Sequence, residues 1–313
     1  MTAPAPPPRS DSPEAEPSGL PAALAAYTIW GFLPLYLLLV RHIPPFEFVG
    51  WRIIWTLPLC LAIVAVRRQF PALRAAVTNP RTMIALLASA TLIGINWFVY
   101  IWAITRNEVY AASLGYYLNP LLNVLLGTLV LGERLSRMQW LAVAIAAIAV
   151  AILAAGAITT LWISLALALS FCLYGLVRKQ VPVTSLPGLT VESALLLLPA
   201  TAIAAWYAGT PAGPSFGQDL GQSVLIAFSG VVTAVPLLLF AIAAKRMDYS
   251  TLGFIQYLAP TIVFLLGLTV FGQELRIVQL GSFVLIWSAV AIFTADLWAK
   301  SRRAKAARSV AAR

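Results

Sequence analysis

The chain has 313 residues, of which 61% are hydrophobic and only 10% charged, with a mean hydropathy of +0.88. A soluble domain carries about 25% charged residues, so these proportions exclude a soluble globular protein and indicate an integral membrane protein. The net charge of +10 raises nucleic acid as a partner, but the distribution of the charges argues against it.

Residues 1–18 are rich in Pro, Ala, Ser and acids. Such a tail cannot bury enough apolar surface to fold and is expected to be disordered. It lacks the basic start and short apolar core of a signal peptide, so the first apolar segment is expected to stay in the mature protein. Ten segments then follow that are long enough to cross a bilayer, at about 20 helical residues for about 30 Å of hydrocarbon. They lie near 20–40, 46–66, 82–104, 110–131, 138–155, 160–177, 188–208, 220–243, 250–271 and 276–298. The connections are too short for a globular domain.

The cations alternate with these spans. Arg67, Arg68, Arg74, Arg81, Arg134, Arg137, Arg178, Lys179, Lys245 and Arg246 fall in loops of one side, and the tails add Arg9, Lys300, Arg302, Arg303, Lys305, Arg308 and Arg313. Only Arg41, Arg106 and Arg276 fall on the other, and Arg52 lies inside a span. Loops rich in Lys and Arg stay in the cytoplasm. Both termini are therefore expected there, and the net charge is explained by topology.

The fourth and ninth spans share an internal pattern. From Pro120, glycines recur seven and twelve residues on, at Gly127 and Gly132; from Pro260 they recur at Gly267 and Gly272. Tyr117-Leu118 matches Tyr257-Leu258, and Ser113-Leu114-Gly115-Tyr116 resembles Thr251-Leu252-Gly253-Phe254 after a two-residue slip. Glycine and proline are common in membrane helices, but ordered matches of this kind point to a duplication. Related spans five apart run in opposite directions, so the chain reads as two inverted five-helix halves, 19–156 and 157–298, with a basic tail at 299–313. Carriers built this way place the substrate at the interface of the repeats.

Polar residues within the spans are the candidate site. Tyr116, Asn119, Asn123 and Gly127 form one helical face, which is expensive against lipid and should meet a cavity or another helix. The matching positions of the ninth span, Gln256, Ala259, Val263 and Gly267, are mostly apolar, and Tyr257 adjoins Gln256. Asn96 and Tyr100 share a face of the third span, among Trp97, Phe98 and Trp102; interfacial aromatics are the alternative reading. Arg52 lies about 9 Å into its span by helical rise, where a charge costs about 2.5 kcal/mol unless paired or hydrated. It is a candidate for charge recognition or gating, and Glu47 is poorly placed to pair with it. Glu192 is a candidate for proton coupling, unless it reaches the interface. Pro120 and Pro260 are the natural hinge pair. Gly132-Glu133-Arg134 and Gly272-Gln273-Glu274 read first as structural turns.

Enzymes of the soluble type are not indicated. Cys60 and Cys172 sit in apolar runs as small buried side chains, His42 stands alone in a short loop, and no metal spacing, serine-triad order or phosphate loop occurs. No cofactor is expected.

The motifs A-A-S-L-G-Y-Y-L-N-P-L-L-N at 111–123, L-G-E-R-L-S-R-M-Q-W-L-A-V at 131–143, F-C-L-Y-G-L-V-R-K at 171–179 and S-T-L-G-F-I-Q-Y-L-A-P-T at 250–261 resemble the RarD branch of the EamA family, within the drug/metabolite transporters. The resemblance covers residues 20–298. It implies an all-α membrane protein of ten helices in two inverted EamA repeats, located in the cytoplasmic (inner) membrane. It further implies transport of small solutes and an association with chloramphenicol sensitivity. With the polar residues above, this leads to an expected secondary carrier, an exporter of small amphipathic or aromatic metabolites or drugs acting by alternating access. A non-transporting membrane scaffold or sensor is the alternative. The expected partners are the solute and the bilayer, with monomer and homodimer both open. The tail at 1–18 and Gly-Gln-Glu in the second repeat depart from the pattern without touching the fold.

Overall fold

The structure is a computed structural model, and it describes residues 18–156 and 158–311, with side chains as far as residue 303. The tail expected to be disordered, apart from its last residue, lies outside the described residues. Twelve α-helices follow in order. They are α1 (Leu20–Leu39), α2 (Pro45–Val66), α3 (Phe70–Thr78), α4 (Pro80–Thr105), α5 (Val109–Leu129), α6 (Arg137–Ala155), α7 (Leu161–Gln180), α8 (Ser185–Ala208), α9 (Leu220–Arg246), α10 (Tyr249–Gln256), α11 (Leu258–Thr269) and α12 (Ile277–Ala311).

Local chemistry sets the boundaries. Pro45 and Pro80 open α2 and α4, where the missing N–H is no loss. The Asn79 side chain accepts from Thr82 N at 3.1 Å, and Asp219 accepts from Gln222 N at 2.7 Å. Ser136 and Gln139 form a reciprocal capping box at the start of α6.

Nine helical stretches among the described residues, with α10 and α11 taken as one, are long and apolar enough to cross a membrane. The tenth span is α5. At 21 residues it is long enough, but Asn119 and Asn123 lower its hydropathy. Three features depart from the sequence reading. The short helix α3 occupies the loop after α2, the ninth span is broken at Tyr257 between α10 and α11, and α12 runs on into the basic tail as far as Ala311.

The duplication has a structural counterpart. Gly132 (φ +69°) and Gly272 (φ +61°) take the same left-handed conformation, which favours glycine. Glu133 N donates to Gly127 O at 2.9 Å and Gln273 N to Gly267 O at 2.8 Å, closing the same turn after each span. Counterpart helices also exchange partners. α5 lies on α7 as α10 and α11 lie on α1; α4 lies on α7 as α9 lies on α1; and α2 with α8, α6 with α12, and α5 with α10 pair across the axis. The end of α5 meets the start of α10 through Glu133 and Tyr249, whereas Gln273, beyond α11, shares a small cavity with Tyr110 and Ser113 at the start of α5. The two related spans are therefore antiparallel.

Helix ends gather at two faces. On the basic face, Lys179 Nζ donates to Ala244 O and Met247 O, and Lys245 Nζ to Val181 O, all within 2.8 Å. On the other, Tyr36 OH donates to Leu225 O at 2.8 Å, and Tyr110 OH to Leu153 O at 2.8 Å. The core between them is aromatic at its centre: Phe240 is ringed by Tyr27, Trp30, Phe171 and Tyr174 at 5.2–6.4 Å.

Candidate functional site

Arg52 on α2 is the centre of the site. Its Nε donates to Thr233 Oγ1 on α9 at 3.0 Å, and its guanidinium lies 4.8 Å over the Trp97 ring on α4. A cation over the face of an indole is attracted by the ring quadrupole. Glycine explains the α2–α9 approach: a Cβ on Gly230 would stand 2.5 Å from Trp55 O. α2 accordingly packs more extensively on α9 than its counterpart α8 does on α4.

Among the described residues Arg52 has no carboxylate partner. The described ion pairs are Arg178–Glu192 and Lys300–Asp296. Glu47 is engaged elsewhere, accepting from Trp51 Nε1 at 3.0 Å and from Ser215 N and Oγ at 2.6 Å each. Three phenols lie within electrostatic range of the guanidinium: Tyr36 on α1, Tyr100 on α4 and Tyr116 on α5. The Tyr100 and Tyr116 rings meet edge to face, with centroids 6.1 Å apart. Tyr116 sits in the middle of α5 yet is 44% exposed, and Arg52 and Tyr100 are half-buried. Four helices of the first half and one of the second thus converge on accessible space at a cation.

Other predicted residues lie in two separate places. At the crossing of α5 and α10, Asn123 Nδ2 donates to Gln256 Oε1 at 3.0 Å, and Tyr27 OH approaches the same oxygen at 3.5 Å. A Cβ on Gly253 would fall 2.8 Å from Asn123 Cβ and 2.9 Å from Pro120 O, so glycine brings the helices together here. Asn119 is buried against α7, where Cys172 Sγ lies 3.4 Å from its carbonyl oxygen. Asn96 donates to Leu167 O at 2.8 Å and to Ser170 Oγ at 3.1 Å on α7. These amides join helices. Tyr257 turns into a cluster with α6 and α12. Pro120 lies in a continuous α5, while Pro260 lies in the first turn of α11, three residues past the break at Tyr257.

Glu192 is buried, 1% exposed, and faces Arg178 Nη1 at 3.5 Å. Ser89 Oγ donates to it as well. Arg178, which the sequence assigns to a loop, is wholly buried and also donates to Ser185 O at 2.8 Å. It fits because Gly188 leaves room: a Cβ there would collide with the guanidinium. Glu192 and Trp97 both line a small void with Thr56, Tyr174 and Ser193, so the ion pair stands beneath the Arg52 site. The readable signal was Gly188 four residues before Glu192, a gap and an acid on one face of α8. Thr233 and Tyr36 carried no comparable signal. Among the described residues no His/Cys/Asp/Glu group could hold a metal ion.

The EamA-like transporter family model matches residues 17–155. An uncharacterized transporter of Pseudomonas aeruginosa is 42% identical over 288 residues, covering 91% of this chain and 96% of its own. Protein RarD of Escherichia coli K12 is 40% identical over 293 residues, covering 91% and 96%. A solved crystal structure of 21% identity shares the fold with a TM-score of 0.67, covering 88% of this chain and 96% of its own.

Proposed function

The chain belongs to the RarD branch of the EamA-like transporter family, and from that premise we propose that it is a secondary carrier, an exporter of small amphipathic or aromatic solutes that works by alternating access. The observation that carries this reading is the accessible cation–aromatic set of Arg52, Trp97, Tyr100 and Tyr116 within the membrane spans. A charge held there without a counter-ion is costly, and lining by aromatic rings suits a small organic solute. The inverted halves supply the two arrangements that alternating access needs. The break beside Pro260 supplies a point of bending.

In this reading both termini face the cytoplasm, because the Lys/Arg-rich loops do, and the protein sits in the cell's inner membrane. The relatives' names as transporters support a non-enzymatic role. Energy comes from a solute or proton gradient, with Glu192 the candidate proton carrier. The chloramphenicol association of the branch makes amphenicols natural first solutes to test. Flux of aromatic and amphenicol solutes into proteoliposomes, with and without a proton gradient, tests the proposal. Saturable flux that falls in Tyr116→Ala supports a carrier. Absence of flux for every solute, with no ligand-dependent thermal shift, favours the scaffold or sensor.

A further inference from the structure

We propose that the Arg52 site selects solutes carrying a carboxylate beside an aromatic ring. The inference rests on the carrier reading for the purpose of the site, but its chemistry is independent of transport. Thr233 takes the Nε–H and Trp97 takes one face of the guanidinium. These contacts fix the plane of the fork while both Nη groups keep no hydrogen-bond partner among the described residues. A guanidinium held in one plane with two free parallel donors matches a carboxylate bidentately.

Among the described residues no carboxylate competes for the position. Glu47, on the same helix, is held by Trp51 and Ser215. Glu192, across the void, is held by Arg178 and Ser89. The titratable groups within electrostatic range of the guanidinium are the phenols of Tyr36, Tyr100 and Tyr116. The Tyr100 and Tyr116 hydroxyls can donate to an anion, that of Tyr36 being given to Leu225 O, and no neutral phenol can neutralise a cation. A neutral solute leaves the Arg52 charge unpaired in low dielectric; a carboxylate pairs it. The half-exposed ring of Tyr116, edge to face with Tyr100, offers a surface for an aromatic body within reach of the same arginine.

Binding of radiolabelled 3-phenylpropionate, and of its uncharged isostere 3-phenylpropionamide, to the purified full chain tests this. The acid is expected to bind at least about tenfold tighter than the amide in the wild type, a common size for a charged hydrogen-bonded contact. In Arg52→Gln the ratio of acid to amide affinity is expected to fall to about one; Arg52→Lys, a point charge without the fork, is expected to lie between. Should Arg52→Gln fail to fold, Thr233→Val removes only the fork's positioning and is expected to lower the ratio severalfold. A wild-type ratio near one overturns the proposal, as does a full ratio surviving in both Arg52→Lys and Thr233→Val. Flux separates this from the carrier reading. Acid selectivity in binding without flux of the acid removes the carrier and keeps the anion site. Flux of a neutral solute undiminished in Arg52→Gln, with no acid preference, keeps the carrier and removes the anion site.

Discussion

The Glu133 carboxylate, just past the end of α5, accepts from the first turn of α10 by three hydrogen bonds: from Ser250 Oγ at 2.6 Å, Ser250 N at 2.9 Å and Tyr249 N at 2.5 Å. An acid at free N–H groups satisfies donors that a helix start leaves open and complements its dipole. The side chain folds back over Gly127, where a Cβ would meet its Oε2 at 2.5 Å. Gln273 folds over Gly267 in the same way, yet Gln273 is neutral, so the charged clasp closes only the basic face. Glu133→Ala is expected to cost about 1–3 kcal/mol, the penalty for leaving such donors unpaired. Ser250→Ala, which removes one bond, is expected to cost about 0.5–1.5 kcal/mol. Thermal unfolding in detergent reads both. Maleimide labelling of buried Cys172 should rise in Glu133→Ala if the clasp holds that face shut; equal labelling would show the contact to be a cap alone.

The buried pair of Arg178 and Glu192 makes a different prediction. Charges in a dry interior are expensive to bury, and removing one partner leaves the other uncompensated, at about 3–5 kcal/mol. Glu192→Leu and Arg178→Met are each expected to destabilise by that order, and the double variant to recover most of the loss. Flux in the double variant then tells structure from coupling. Flux that keeps its dependence on the proton gradient assigns the pair to stability. Flux that persists but no longer responds to the gradient assigns the proton to Glu192.

Asn123 and Gln256 bridge the two halves through buried amides. Each single alanine variant is expected to lose about 1–3 kcal/mol, because the partner amide is left without its bond. A double-mutant cycle should return a coupling of about 0.5 kcal/mol or more. A coupling near zero would mean that the amides serve a space between the helices rather than each other.

Hydropathy and charge alternation delimit the spans because both are local and repeated over long segments. Helix α3 escaped because its nine residues are too few to cross a bilayer, and the sequence was read for spans of that length. The hinge pair was read from two matching prolines, but only the second span breaks. α5 runs unbroken past Pro120, so a proline alone does not fix where a span breaks. The reading of the polar stripe on α5 as one face was sound geometry, yet its members divide. Tyr116 meets open space, whereas Asn119 and Asn123 meet other helices, and periodicity does not encode which neighbour a face finds. The partners of Arg178 and Glu133 were hidden for the same reason. Each depends on tertiary contact, and Glu133 meets α10 across more than a hundred residues.

The approach of α2 to α9 places Arg52 against Thr233, and it depends on one missing methyl group. A Cβ at Gly230 would press on the backbone of Trp55, with its carbonyl oxygen at 2.5 Å and carbonyl carbon at 2.6 Å. Backbone cannot swing aside as a side-chain tip can, so Gly230→Ala must push the helices apart, at about 1–3 kcal/mol. Gly281 on α12 is the control, because a Cβ there meets nothing within 4 Å. Gly281→Ala is expected to be neutral or to stabilise by about 0.5–1 kcal/mol through helix propensity alone. Thermal unfolding gives the two signs. Gly230→Ala should in addition weaken solute binding at Arg52, since the displaced α9 carries Thr233 away from the guanidinium. Unchanged binding in a destabilised Gly230→Ala protein would show that the arginine holds its place without α9.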